Sequence, residues 1–248
     1  MTDRPDLSDA LQPVIGCIRD DFEARHTARE AGLTASRKVI QHSANSIRAM
    51  HRHEFEKAES LLGDARARAQ EAQSALREFP EIYHAGFIHD ALKEYAEASI
   101  TLALVTGRPL PTPEEIDVEF PAYLNGLAEA VGEIRRYTLD AMRNGEAELP
   151  EELLAMMDEI YSQLVTIDFP DAITRGLRRH TDMVRGVTEK TRGDLTLAAM
   201  NRRLEDQMAG LRQQLAGAGA GAEADVEADV EADVEADVEA DVEADAQS

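Results

Sequence analysis

Along almost the whole chain, apolar residues recur at spacings of three and four, and hardly any segment alternates with a period of two. β-Branched runs are scarce and aromatic residues make up only 4% of the sequence, so a sheet would lack both pattern and material. The fold class that follows is all-α, a bundle of about six or seven helices. A length of 248 residues allows one sizeable helical domain with a proper core.

Breaks in the periodicity divide the chain. The first helix is expected from about Leu7 through Arg25–Phe55, with Ile18, Phe22, Val39, Ile40, Ile47 and Met50 on its apolar side and with Pro13 and Gly32 as places for a kink or division. A second runs from about Glu54 to Glu78 and stops at Phe79-Pro80; a third starts near Gly86 and ends at TGRPLPTPEE, where three prolines forbid continuation. The fourth spans Phe120 to Arg143, closed by Asn144-Gly145, and the fifth follows Pro150. After DFPDA at 168–172 a long sixth helix is expected. Composition then changes abruptly: AGAGAGAE reads as a flexible linker, and the EADV repeat, charged at every second position, as a disordered tail. The domain boundary is therefore expected at 215/216, with a helical domain at 1–215 and the linker and acidic repeat at 216–248.

Charge bounds the surroundings. The formal net charge is −23, and Glu223 to Asp245 alone holds 12 acids and no base. Without those, 37 acids face 26 bases, of which only Lys38, Lys57, Lys93 and Lys190 are lysine. An acidic, lysine-poor surface suits a protein hydrated in concentrated salt, and a halophilic adaptation is expected on that ground. The first ten residues lack the basic and apolar regions of a signal peptide, no run of eighteen apolar residues exists, and the single Cys17 has no partner at metal-binding or disulfide spacing. These features point to a reducing cytoplasm and no membrane partner, with Cys17 expected as a small buried side chain.

Two helices carry acids in register. In DALKEYAEASI, Asp90, Glu94 and Glu97 share one stripe opposite Ala91, Leu92, Tyr95 and Leu102; in GLAEAVGEIRRYTL, Glu129 and Glu133 stand one turn apart opposite Val131, Ile134 and Thr138. By this wheel the acids face away from their own core. Like charges one turn apart repel, so each stripe needs solvation or a bound cation, and for an isolated pair in an acidic protein plain solvation is the ordinary explanation.

The ordered set LTASRKVIQHSANSIRAMHR, DALKEYAEA, YLNGLAEAVGEIRRYTLDAMRNG and EKTRGDL resembles the translin family, over about residues 25 to 200. The resemblance implies an all-helical bundle of the translin type, assembly into a closed homo-oligomer, an octamer, and binding of single-stranded RNA or DNA. It also implies one of two branches: one that binds only, and the translin-associated factor X branch, which cleaves RNA with acidic residues and Mg²⁺. The cleaving branch reads EYxEA in its third helix, here Glu94 to Ala98, and has two acids four apart in its fourth, here Glu129 and Glu133. Glu94, Glu97, Glu129 and Glu133 are thus the catalytic and metal-ligating set that the resemblance implies, with Glu129 standing where that branch usually has Asp. Four carboxylates of this kind could hold one or two Mg²⁺ that activate water at a phosphodiester with no protein nucleophile.

An acidic chain must bind nucleic acid through local basic patches. Arg37, Lys38, Arg48 and Arg52, with His51, cluster along the first helix and are the nucleic-acid-binding candidates; Arg175, Arg178, Arg179 and Arg185 form a second group. Tyr95, Tyr123 and Tyr137 are assigned to core packing, and His51 and His53, diverging at i,i+2, to solvent. Three functions stay open at this point: a Mg²⁺-dependent endoribonuclease, a non-catalytic single-stranded DNA/RNA-binding oligomer, and a helical scaffold whose carboxylates are only a hydrated face, the last disfavoured by the resemblance.

Overall fold

The computed structural model describes residues 7–146 and 148–245, with side chains to residue 215. Eight helices and no strand occur among the described residues: α1 (Leu7–Met50), α2 (Phe55–Ala75), α3 (Pro80–Tyr83), α4 (Phe87–Thr106), α5 (Phe120–Arg143), α6 (Glu148–Leu164), α7 (Asp171–Thr174) and α8 (Leu177–Asp245). The six long helices are those the periodicity predicts, and α3 and α7 are single turns entered at Pro80 and after Pro170. No described helix is long and apolar enough to cross a membrane. The linker and acidic repeat, expected to be disordered, fall on residues 216–248, whose side chains lie outside the described residues.

The chain divides into two compact units, Met1–Gly193 and Asp194–Ser248. The first holds three apolar clusters. One joins α1, α2, α4 and the start of α5 through Val39, Leu76, Ile88, Leu92, Tyr95 and Ile100, with alanines between them. The second joins α5, α6 and the start of α8 through Val131, Ile134, Leu153, Met157, Leu164 and Leu177; the third packs Ile47 and Met50 against Ala58, Ala98 and Leu102. Each large aliphatic side chain so buried contributes roughly 1.5–3 kcal/mol. In the second unit the described part of α8 leaves Leu197, Met200, Leu204, Met208, Leu211 and Leu215 exposed.

The breaks have local causes. α4 ends on Gly107 in the left-handed region, and the proline-rich segment after it is pinned by a reciprocal pair in which Thr112 N–H donates to Glu115 Oε2 at 2.8 Å and Glu115 N–H donates to Thr112 Oγ1 at 3.2 Å. α5 ends at Asn144, followed by Gly145 at φ 81°, as Asn-Gly predicts. Three expectations are corrected. α1 is continuous through Pro13 and Gly32, and Gly32 instead serves close packing against the Leu76 side chain, where a Cβ would lie 2.8 Å from Leu76 Cδ1. Ile40 is exposed next to the buried Val39, and Ile18 and Phe22 are exposed since the packed part of α1 begins near Gly32. Cys17 is exposed for the same reason.

Candidate metal centre

Helix α5 crosses α4 at Gly126. A Cβ there would lie 2.7 Å from the Lys93 carbonyl oxygen and 2.8 Å from the Glu97 backbone nitrogen, so only glycine lets the two backbones touch. Glu129 is three residues beyond this contact and Glu133 seven, which turns both toward α4, while Glu94 and Glu97 rise from α4 at the crossing. Glu94, Glu97 and Glu129 each bring a carboxylate oxygen within 4.8 Å of the others. Glu133 stands beside this trio, close enough to act electrostatically on Glu97.

The wheel reading placed these acids away from the core. Glu97 is instead only 9% exposed, because a second helix covers the stripe that would face solvent on α4 alone. Burial, then the charges of Glu94, Glu129 and Glu133, push its carboxyl up to about 8. Burial also raises the Glu94 carboxyl, against the pull of Lys93. For Glu129, burial works upward but hydrogen bonds from His180 and Lys93 outweigh it, and the carboxyl is held below its ordinary value. Asp90 on the same stripe is exposed.

Three basic groups close the site. Lys93 Nζ donates to Glu129 Oε1 at 2.7 Å and lies 3.7 Å from Glu94 Oε1. His180, at the start of α8, places Nε2 3.2 Å from the same Glu129 oxygen. His51, at the end of α1, places Nε2 2.5 Å from Glu133 Oε2 with its side chain only 4% exposed, so its assignment to solvent is corrected: the turn after Met50 folds its ring inward. His53, at φ 58°, stays exposed as assigned, with the Tyr137 hydroxyl 3.2 Å from its Nδ1. Lys93 meets Glu129 across 36 residues, His180 meets Glu129 across 51 and His51 meets Glu133 across 82, pairings that no local spacing announces.

The basic candidates lie elsewhere. Arg37 and Lys38 are exposed on α1; Arg48 donates to Asn45 Oδ1 at 2.7 Å, and Arg52, past the helix end, pairs with Glu54 at 2.7 Å. None of the four is among the contacts of the carboxylates, although Arg52 adjoins His51. Of the second group, Arg178 and Arg179 are exposed and immediately precede His180, while Arg185 lies 3.7 Å from Asp182. Tyr95 is core, and Tyr123 donates its hydroxyl to Pro111 O, as assigned.

The donor set suits a hard divalent cation. Oxygens on opposite sides of an octahedral Mg²⁺ are about 4 Å apart; the three carboxylate oxygens from two helices lie within 4.8 Å of one another, so side-chain adjustment of under about 1 Å would bring them onto one ion. Their mutual repulsion, visible in Glu97, is what such an ion would relieve.

No family model matches the sequence. Among solved structures, AfC3PO from Archaeoglobus in complex with duplex RNA is 36% identical, with 76% of this chain and 97% of that chain covered at a TM-score of 0.70. The chain belongs to the translin family. AfC3PO alone matches this translin-family chain at 35% identity and a TM-score of 0.71, with 76% and 98% of the two chains covered. Apo-NeC3PO, 20% identical over 80% of this chain and 100% of that one, shares the fold at a TM-score of 0.67. An uncharacterized protein of Methanocaldococcus jannaschii is 28% identical over 186 residues, 74% of this chain and 82% of that protein.

Proposed function

We propose that the chain is a Mg²⁺-dependent endoribonuclease acting on single-stranded RNA, with Glu94, Glu97, Glu129 and Glu133 as its site. The observation that carries this reading is the convergence of three carboxylate oxygens from α4 and α5 within 4.8 Å, one of them on a buried glutamate. Nucleic-acid binding is supported by AfC3PO, which binds duplex RNA and is similar over 97% of its length. When bound, the ion supplies Lewis acidity at a phosphodiester and an activated water. The protein's own part is positional. Gly126 sets the helix spacing, Glu94, Glu97 and Glu129 provide the ligand oxygens, and Lys93 partly balances their charge in the metal-free chain. Glu133, held by His51, biases Glu97 and can accept a proton or a hydrogen bond from water entering the site.

A second reading, a non-catalytic single-stranded DNA/RNA-binding oligomer, is favoured by one observation: Lys93 and His180 both engage Glu129, the position where the cleaving branch has the shorter Asp. Cleavage of a labelled single strand, with a duplex control, separates the two. The nuclease reading expects Mg²⁺-dependent products that vanish with Glu97→Gln, and a faster rate with Glu129→Asp if the extra methylene crowds the site. Binding without products under every Mg²⁺ and salt condition leaves the binding-only reading. Arg37, Lys38, Arg48 and Arg52 are proposed to contact the phosphate backbone, and the assembly is proposed to be an octamer working in a salt-rich cytoplasm, in keeping with the acid excess.

A further inference from the structure

We propose that Asn125 and His180 form a positioning relay that aims the Glu129 carboxylate and thereby sets the cation affinity of the site; the inference rests on the reading that these acids take a divalent ion. Asn125 is fully buried, at 0% exposure, on α5 one turn before Glu129. Its Nδ2 lies 2.8 Å from Pro121 O, 3.0 Å from Thr174 O and 3.3 Å from Arg175 O. Carbonyl oxygens only accept, so this end of the amide must be the NH₂ and the other end must be the acceptor. That acceptor, Oδ1, is 2.6 Å from His180 Nδ1, which therefore carries a proton. With Nδ1–H committed to Asn125, the Nε2 edge is aimed at Glu129 Oε1, 3.2 Å away.

The relay also fixes where His180 stands. Arg175 and Gly176, at φ 50° and 92°, reverse the chain between α7 and α8, and the Asn125 amide holds the carbonyls of Thr174 and Arg175 on the near side of that turn. One buried side chain thus places both the ring nitrogen and the helix that carries it. Glu129 Oε1 then receives His180 from α8 and Lys93 from α4, which restricts the carboxylate from two sides. Partners that orient a ligand in this way are worth about 10- to 100-fold in metal affinity. The plainer alternative is that Asn125 serves only the turn and His180 is an incidental neighbour.

Mn²⁺ titration of the full chain, followed by electron paramagnetic resonance or calorimetry, separates these. His180→Ala is expected to weaken Mn²⁺ binding about tenfold or more, with helicity and oligomer mass unchanged. His180→Gln, which retains an amide donor, is expected to recover part of the loss. Asn125→Ala should weaken binding as well and remove the protected His180 Nδ1–H signal from the nitrogen-edited NMR spectrum; in the double variant with His180→Ala the affinity should be no lower than for His180→Ala alone. If Asn125→Ala does not fold, the two His180 variants decide. Mn²⁺ affinity within twofold of wild type for His180→Ala, in an experiment where Glu97→Gln abolishes binding, overturns the relay and leaves the metal site standing. Wild-type protein that takes up no more Mn²⁺ than Glu97→Gln overturns both.

Discussion

Glu97 is the residue at which burial and charge conflict most. In the metal-free protein its carboxyl is raised from 4.5 to about 8, so between these values the folded chain binds a proton that the unfolded chain has released. Stability from this group is therefore fully present below about pH 4.5 and is lost as pH rises toward about 8. Urea unfolding in EDTA is expected to show a midpoint that falls across this window, and Glu97→Gln should flatten the profile because its amide does not titrate. Saturating Mg²⁺ should reverse the slope, since the ion binds the ionised form and stabilises the folded state by mass action. A wild-type profile in EDTA that rises from pH 5 to 8 would contradict the placement of Glu97.

At the level of elements, everything at the site depends on how closely α4 and α5 approach. Gly126 and Gly132 lie on one helix and make opposite predictions. Gly126→Ala would push a methyl into backbone atoms of Lys93 and Glu97 at 2.7 and 2.8 Å, neither of which can turn aside. It should destabilise by about 1–3 kcal/mol, as overpacking does, and it should lower Mn²⁺ affinity because the carboxylates separate. Gly132→Ala meets nothing within 4 Å and should stabilise by about 0.5–1 kcal/mol through helix propensity alone. Chemical denaturation of both variants checks the pair, and equal effects would mean that the crossing is not the tight contact described.

For the whole molecule, all three apolar clusters have their buried members between Ala35 and Val184. Deleting residues 217–248 is accordingly expected to leave the unfolding midpoint and cooperativity of the body unchanged, as measured by circular dichroism. It removes 12 acids from a chain of net charge −23, so nucleic acid should bind faster, and with a smaller gain at high salt, than to the full chain. Assembly is a separate matter. Mass measurement in molar salt is expected to give an octamer, and a clean monomer there would overturn the proposed closed assembly.

The six long helices, the proline-rich break after Gly107, the Asn144-Gly145 stop and the two acid stripes were all legible because each depends on residues within a few turns: spacing, caps and backbone preference act locally. Glu94, Glu97, Glu129 and Glu133 could be named from the order of short motifs, yet a helical wheel treats each helix as if alone and left them in solvent. Only the crossing at Gly126 put Glu97 at 9% exposure and joined the stripes. The partners that complete the site, His51 from the turn after α1, Lys93 from α4 and His180 from α8, reach Glu133, Glu129 and Glu129 across 82, 36 and 51 residues of chain. Such contacts are decided by packing between helices, which no local spacing encodes, and so the acids belonged to the sequence and their electrostatics to the fold.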